Sequence, residues 1–241
     1  MFSDSKDDPN IEQTLNVDVI GNGGFGGPRG GGPRGAGGHI DNGGGYGYRG
    51  DGGNGTAKSG GKGGSKSSIS KETAQLAEKH GIKLNGFRLK VRTKRNDKGE
   101  IEKWVKTNKG EEKKLRNGHL AGKNHPETGV PFTKNGFPKF DKWSKGETRL
   151  PKDYYLKSDA QQFKYASRRL WDKIKNNEKA KSKFTKKQLE ALKNGEERIP
   201  GLTWHHHQQQ GKMQLVESNV HKATGHTGGR DIWGGGKEFR K

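Results

Sequence analysis

The sequence contains no cysteine, which excludes a disulfide framework, a thiolate zinc site, an iron–sulfur cluster and a catalytic thiol. Apolar residues are scarce, at 25% of 241. The longest apolar runs are a few residues, far short of the ~18 that a membrane span requires. The opening residues, Met1-Phe2-Ser3-Asp4-Ser5-Lys6, have neither the basic nor the apolar region of a secretory signal, so a soluble chain made in the cytosol is expected. Low apolar content with a net charge of +21 marks disorder when both fall in one segment. They do not. Residues 1–70 carry seven basic and seven acidic residues, and 23 of the 41 glycines lie between Gly21 and Gly64. The whole surplus therefore belongs to residues 71–241, together with all five tryptophans. Such a surplus predicts an acidic partner, nucleic acid being the commonest.

The glycine-rich stretch, with Gly-Gly-Pro-Arg-Gly at 26–30 and again at 31–35, reads as a flexible arm because little side chain offsets its backbone entropy. Its Arg-Gly pairs also fit RNA binding, and a plain linker fits equally well. Ahead of it, Ile11, Leu15, Val17, Val19 and Ile20 form a patch able to add as a strand to a partner but too small for a core. Order is expected from Ser70 onward. Ser70–His80 suits a short helix burying Leu76 and Ala77 and stopped by Gly81. Residues 86–106 suit a hairpin, and 118–141 an ordered loop anchored by Phe132, Phe137 and Phe140. Ser158 with Gln161 and Thr185 with Gln188 have capping-box spacing. They open one helix to Lys179, with Phe163, Ala166, Leu170 and Ile174 on its apolar stripe, and a second one ended by Asn194-Gly195.

Five of the nine histidines, His205, His206, His207, His221 and His226, follow. Leu202–His206 reads as a strand, 208–212 as a turn, Met213–Val216 as a second strand, and Ser218 as the cap of a helix carrying His221 and nearly reaching His226. A helix across a two-stranded ribbon brings histidines toward the strand end. Three imidazoles can then hold one cation while a neighbouring histidine stays free as a base, and open coordination positions suit catalysis. Trp204 reads as core packing, and His119 and His125 as loop residues outside the site.

Trp204-His205-His206, Met213-Gln214-Leu215-Val216, His221 and His226-Thr227-Gly228-Gly229 together resemble the Trp-His-His branch of the HNH/endonuclease VII nuclease toxins. The stretch from His119 to Phe132 resembles the segment that precedes such nucleases. The resemblance implies an α+β protein: a disordered arm over 1–69, a small basic α+β region over 70–155, and helices with a ββα-metal (HNH) motif over 156–241. It implies His205, His221 and His226 as ligands of one divalent metal ion (Mg, Zn, Ni or Mn), and His206 as general base. Gln214 falls where the family's asparagine orients that base. The run of three histidines leaves the register open by one, and Trp204 before the pair favours this assignment. Arg230 is a candidate for the scissile phosphate, with loop solvation as the other reading.

The function expected is a metal-dependent, non-specific DNA endonuclease toxin of colicin-like organisation. Its partners would be DNA, an acidic immunity protein and target-cell import machinery engaged by the arm. It would be made in the bacterial cytoplasm without a signal peptide, released, and act in the target-cell cytoplasm. An RNase of the same fold, a homing endonuclease and a non-catalytic RNA-binding protein are the alternatives.

Overall fold

The computed structural model describes residues Glu12–Thr14 and 69–241, so the arm read over 1–69 lies almost wholly outside the described residues. Those described fall in one of two units of the chain, the other being Val17–Lys66. The architecture is α+β, with two antiparallel sheets.

In the first sheet, β1 (Glu12–Thr14), β2 (Lys90–Arg95), β3 (Ile101–Lys106) and β4 (Glu112–Lys114) lie in chain order. β1 pairs with the edge of β2 in the same chain; the five apolar residues expected to join a partner's sheet lie outside the described residues. The β2–β3 hairpin pairs Val91 with Val105 on its buried face and Arg92 with Trp104 on the other, as strand alternation requires. Asn96 closes its turn, its side-chain oxygen accepting from the backbone of Lys98 and Glu100. Helix α1 (Lys71–Lys79) starts at Ser70 and ends before Gly81, whose φ is 62°. It buries Thr73 and Ala77 and leaves Leu76 exposed. The cause is a tie at its start. The Ser70 backbone donates to Asp153 at 2.8 Å and its hydroxyl to Thr73, which turns the Thr73 and Ala77 side inward.

Both capping boxes form. Helix α2 (Asp159–Ile174) opens on Ser158 and Gln161, and stops at Ile174 because Asn177 caps a separate turn, α3 (Glu178–Lys181). Its buried stripe is Gln162, Ala166, Leu170 and Ile174, with Ser167 beside it. Phe163, expected on that stripe, is only partly buried. Helix α4 (Lys186–Asn194) opens on Thr185 and Gln188 and ends at Gly195 in the left-handed region.

The second sheet has the order β5 (Ser144–Arg149), β7 (Lys212–Glu217), β6 (Leu202–His206). Strand β5 reads Ser-Lys-Gly-Glu-Thr-Arg; with no apolar residue it offers no period to detect, and the backbone of β7 recruits it. Helices α5 (Ser218–Thr224) and α6 (Gly229–Trp233) follow. One buried core runs from Ala77 to Phe239, and a second, smaller cluster joins Val130, Phe140 and Val216. No described helix is long and apolar enough to cross a membrane.

Leu170 is buried where β5 has Gly146, its methyl carbons within 3.0 Å of where a side chain on that glycine would begin. Leu170→Ala is expected to cost about 2–5 kcal/mol of stability, read as a lower urea midpoint.

Candidate metal centre

The pairing of β6 with β7 sets Trp204 opposite Leu215, His205 opposite Gln214 and His206 opposite Met213. Successive side chains of a strand point to opposite faces. Trp204 and His206 turn toward α2, the indole donating to Ser167 Oγ at 3.0 Å and the imidazole meeting Gln162 Oε1 at 2.6 Å. His205 turns the other way, toward α5. His221 comes from that helix, and His226 from just beyond it, after Gly225 ends the helix with φ 46°.

These three imidazoles converge. His205 Nδ1 lies 3.2 Å from His221 Nε2 and 3.0 Å from His226 Nε2, and all three ligand atoms fall within 4.8 Å of one another. Tetrahedral zinc with nitrogen ligands at ~2.05 Å would space them by about 3.3 Å, so the set fits one metal ion. Among the described residues, the outward nitrogens, His205 Nε2 and His226 Nδ1, are buried without a hydrogen-bond partner, and carry the protons when the inward lone pairs face a metal. Burial favours that state. It holds His205 well below the ordinary imidazole range, lowers His221 to about 4, and, helped by the charges of His221 and Arg116, lowers His226 to about 3. All are neutral at pH 7 and ready to bind a cation.

Phe140 forms the wall of the cluster. Fully buried, its ring centroid lies 4.9, 5.4 and 5.2 Å from those of His205, His221 and His226. The glycine- and proline-rich loop that carries it also clasps the ligand helix. Asn117 donates from its amide to the carbonyls of Thr224 and Gly225 at 3.0 and 2.8 Å, and Thr128 bonds Thr224. Asn117 has φ 60°, the sole non-glycine residue with positive φ among those described, a strain that the two bonds offset.

The remaining expected residues lie apart from the cluster. His206, 6% exposed, packs against Phe163 and Trp233 on the α2 side of the strand. Its bond to Gln162 fixes its tautomer. The Gln162 amide nitrogen donates to the carbonyls of Tyr154, Tyr155 and Lys157, so Oε1 is the atom facing the imidazole and His206 Nε2 must donate. Gln214 shares a face with His205, but donates to Asp141 at 3.2 Å and makes no bond to His206. Arg230 requires a correction. At 1% exposure it is no phosphate contact: its guanidinium donates to the carbonyls of Tyr155, Lys157 and Phe239, and its Nε lies 2.9 Å from Asp159. With its donors turned inward, it locks the C-terminal segment to the start of α2. His207 stands at the end of β6, 6.3 Å between ring centroids from His205. His125 is buried on Phe132, accepting from the backbone of Glu127 and Thr128, and neither it nor His119 joins the cluster.

Sequence reading missed Gln162, Phe140 as a wall, and Asp141. A signal existed for the first: Gln162 is a polar residue at helical spacing with Ala166, Leu170 and Ile174.

A helix laid across a two-stranded ribbon, with three convergent imidazoles, forms a ββα unit with room for one metal ion, and the Trp204-His205-His206 run fits an HNH-type motif. Residues 130–228 match the family model described as the DNase/tRNase domain of colicin-like bacteriocin. No curated protein matches the chain significantly.

A nitrogen-only donor set favours zinc or nickel over magnesium. Zinc or nickel is expected to raise the melting temperature where magnesium leaves it unchanged, and His221→Ala to abolish the rise; scanning calorimetry after EDTA treatment checks both. In the metal-free chain the buried imidazoles resist protonation, whereas in the unfolded chain they titrate near ~6.5. Their contribution is fully present above about 6.5 and is lost as pH falls toward about 4, the folded value of His221. Urea midpoints in EDTA should therefore drop between pH 7.5 and pH 5.

Proposed function

We propose that this chain is a divalent-metal-dependent DNA endonuclease acting as a colicin-like antibacterial toxin. The observation that carries the reading is the convergence of His205, His221 and His226 on one point, inside a segment that matches a nuclease family. A divalent cation held there supplies neutralisation of charge on the phosphorane and the leaving oxygen. The residues supply the rest. His205 anchors the set from a paired strand, and His221 and His226 close it from and beyond α5. The resemblance assigns the base to His206: the bond to Gln162 fixes its proton on Nε2, the fixed tautomer that general-base work requires, while the ring packs on the α2 side of the strand and burial lowers its basicity. Its neighbour His207 has the same tautomer but a committed lone pair: His207 Nδ1 accepts the backbone N–H of Gln209 at 3.0 Å, which leaves its proton on Nε2.

The net charge of +21 favours binding to phosphate backbone without sequence preference and with strong salt dependence. It also favours a small acidic immunity protein as the inhibitor a producing cell needs, with fast, salt-sensitive association. The same reading has the toxin released and carried by import machinery to act in target-cell cytoplasm. The family description names both DNase and tRNase, so tRNA is the competing substrate.

Plasmid, tRNA and ribosomal RNA digested with zinc, nickel, manganese or magnesium separate these readings. The expected result is metal-dependent plasmid cleavage, stopped by EDTA and lowered at least ~100-fold by His206→Ala, with His207→Ala less affected. Cleavage of tRNA alone would overturn the DNA assignment, and undiminished cleavage by His206→Ala would overturn the base.

A further inference from the structure

Arg116 lies at the corner between β4 and the 3-10 turn Gly118–Leu120, outside the segment that matches the nuclease family. It is exposed, and among the described residues its guanidinium has neither a hydrogen bond nor an ion pair. That is unlike Arg230, whose donors are turned inward on carbonyls and Asp159.

The free guanidinium is nonetheless held in place. The backbone N–H of Arg116 donates to Thr227 Oγ1 at 2.9 Å, and the next residue, Asn117, is fastened to the carbonyls of Thr224 and Gly225. The guanidinium lies over Gly225: a side chain on that glycine would begin 2.8 Å from one of its terminal nitrogens and 2.9 Å from its central carbon. Gly225 is the residue immediately before the ligand His226. The fold therefore places an unneutralised, forked cation beside a cluster of three neutral imidazoles.

Two positive centres side by side repel unless an anion bridges them. Three neutral ligands cancel none of a dication's charge, and no carboxylate joins them in the cluster among the described residues. The missing component is an anion with oxygens that can face both the metal position and a guanidinium fork, which is the geometry of a phosphodiester.

We propose that Arg116 binds the substrate phosphate alongside the His205–His221–His226 site, so that the region before residue 130 completes the active centre. The proposal rests on the nuclease reading above for the identity of the substrate, and on the local geometry alone for the anion site. Arg116 is then a catalytic residue in the strict sense, touching the phosphate itself. The fork matters as well as the charge, so Arg116→Lys should be intermediate.

The test uses the full chain loaded with zinc or nickel, with Arg116→Ala and Arg116→Lys beside the wild type. Circular dichroism and metal titration come first; metal affinity is expected to change less than about threefold, because Arg116 is not a ligand. Inorganic phosphate binding, followed by calorimetry, is expected to weaken about tenfold in Arg116→Ala, the loss of one charge-assisted contact. Cleavage of plasmid and tRNA is expected to fall about 100-fold, with Arg116→Lys between the two. Phosphate affinity and cleavage within threefold of wild type in a folded, metal-loaded Arg116→Ala would overturn the proposal, as would wild-type protein that binds no phosphate. Arg116-dependent phosphate binding by a wild type that cuts neither DNA nor RNA would instead defeat the nuclease reading and leave the anion site standing. Should Arg116→Ala fail to fold, Arg116→Lys carries the same comparison.

Discussion

The register between β6 and β7 decides which histidine faces the metal position and which faces the core. Side chains alternate along a strand, so a slip of one residue would swap His205 and His206 between the cluster and the packing beneath α2. Trp204 prevents that slip. Its indole is buried in the main core and its N–H is committed to Ser167 on α2, while the indole of Trp233 holds the carbonyl of His207 at 2.8 Å. Two tryptophans that touch no ligand atom thereby choose the ligand.

Beneath the strand lies a polar network that serves the same end. Gln162, Asp159 and Arg230 sit together at the start of α2, and the carbonyls of Tyr155 and Lys157 accept from both Gln162 and Arg230. Burying a guanidinium is costly unless its donors are used and its charge is paired; here Asp159 pairs it and backbone carbonyls use the donors. Burial lowers Arg230 to about 10, which leaves it charged at neutral pH. What this network specifies is orientation: it fixes the turn before α2, which fixes Gln162, which fixes the proton on His206.

Local rules carried much of this into the sequence. The capping spacings at Ser158 and Thr185, Gly195 after α4, the alternation in β6 and β7, and the position of His226 just past a short helix were all readable. The failures share one physical cause, dependence on partners far along the chain. Strand β5 has no apolar residue and exists because β7 pairs with it. Arg230 sits among glycines that read as loop, and its counter-ion Asp159 lies far back in the sequence. Arg116 resembles any other basic residue of a lysine-rich hairpin region until Thr227 and Gly225 are brought against it. Phe140 was legible as an anchor, but what it anchors was not.

The small cluster of Val130, Phe140 and Val216, with Val220 of the ligand helix packed on it, is separate from the main core and far poorer in buried side chains. A corner with so little apolar burial has little stability of its own, yet its walls are the walls of the metal site. Hydrogen bonds from Asn117 and Thr128 already hold the loop to α5, and a cation on the imidazoles would add a further tie between the same elements. A cation there would add stability where the fold has least of it, so its effect falls on amide exchange in the Phe140 loop and α5 before it reaches the main core.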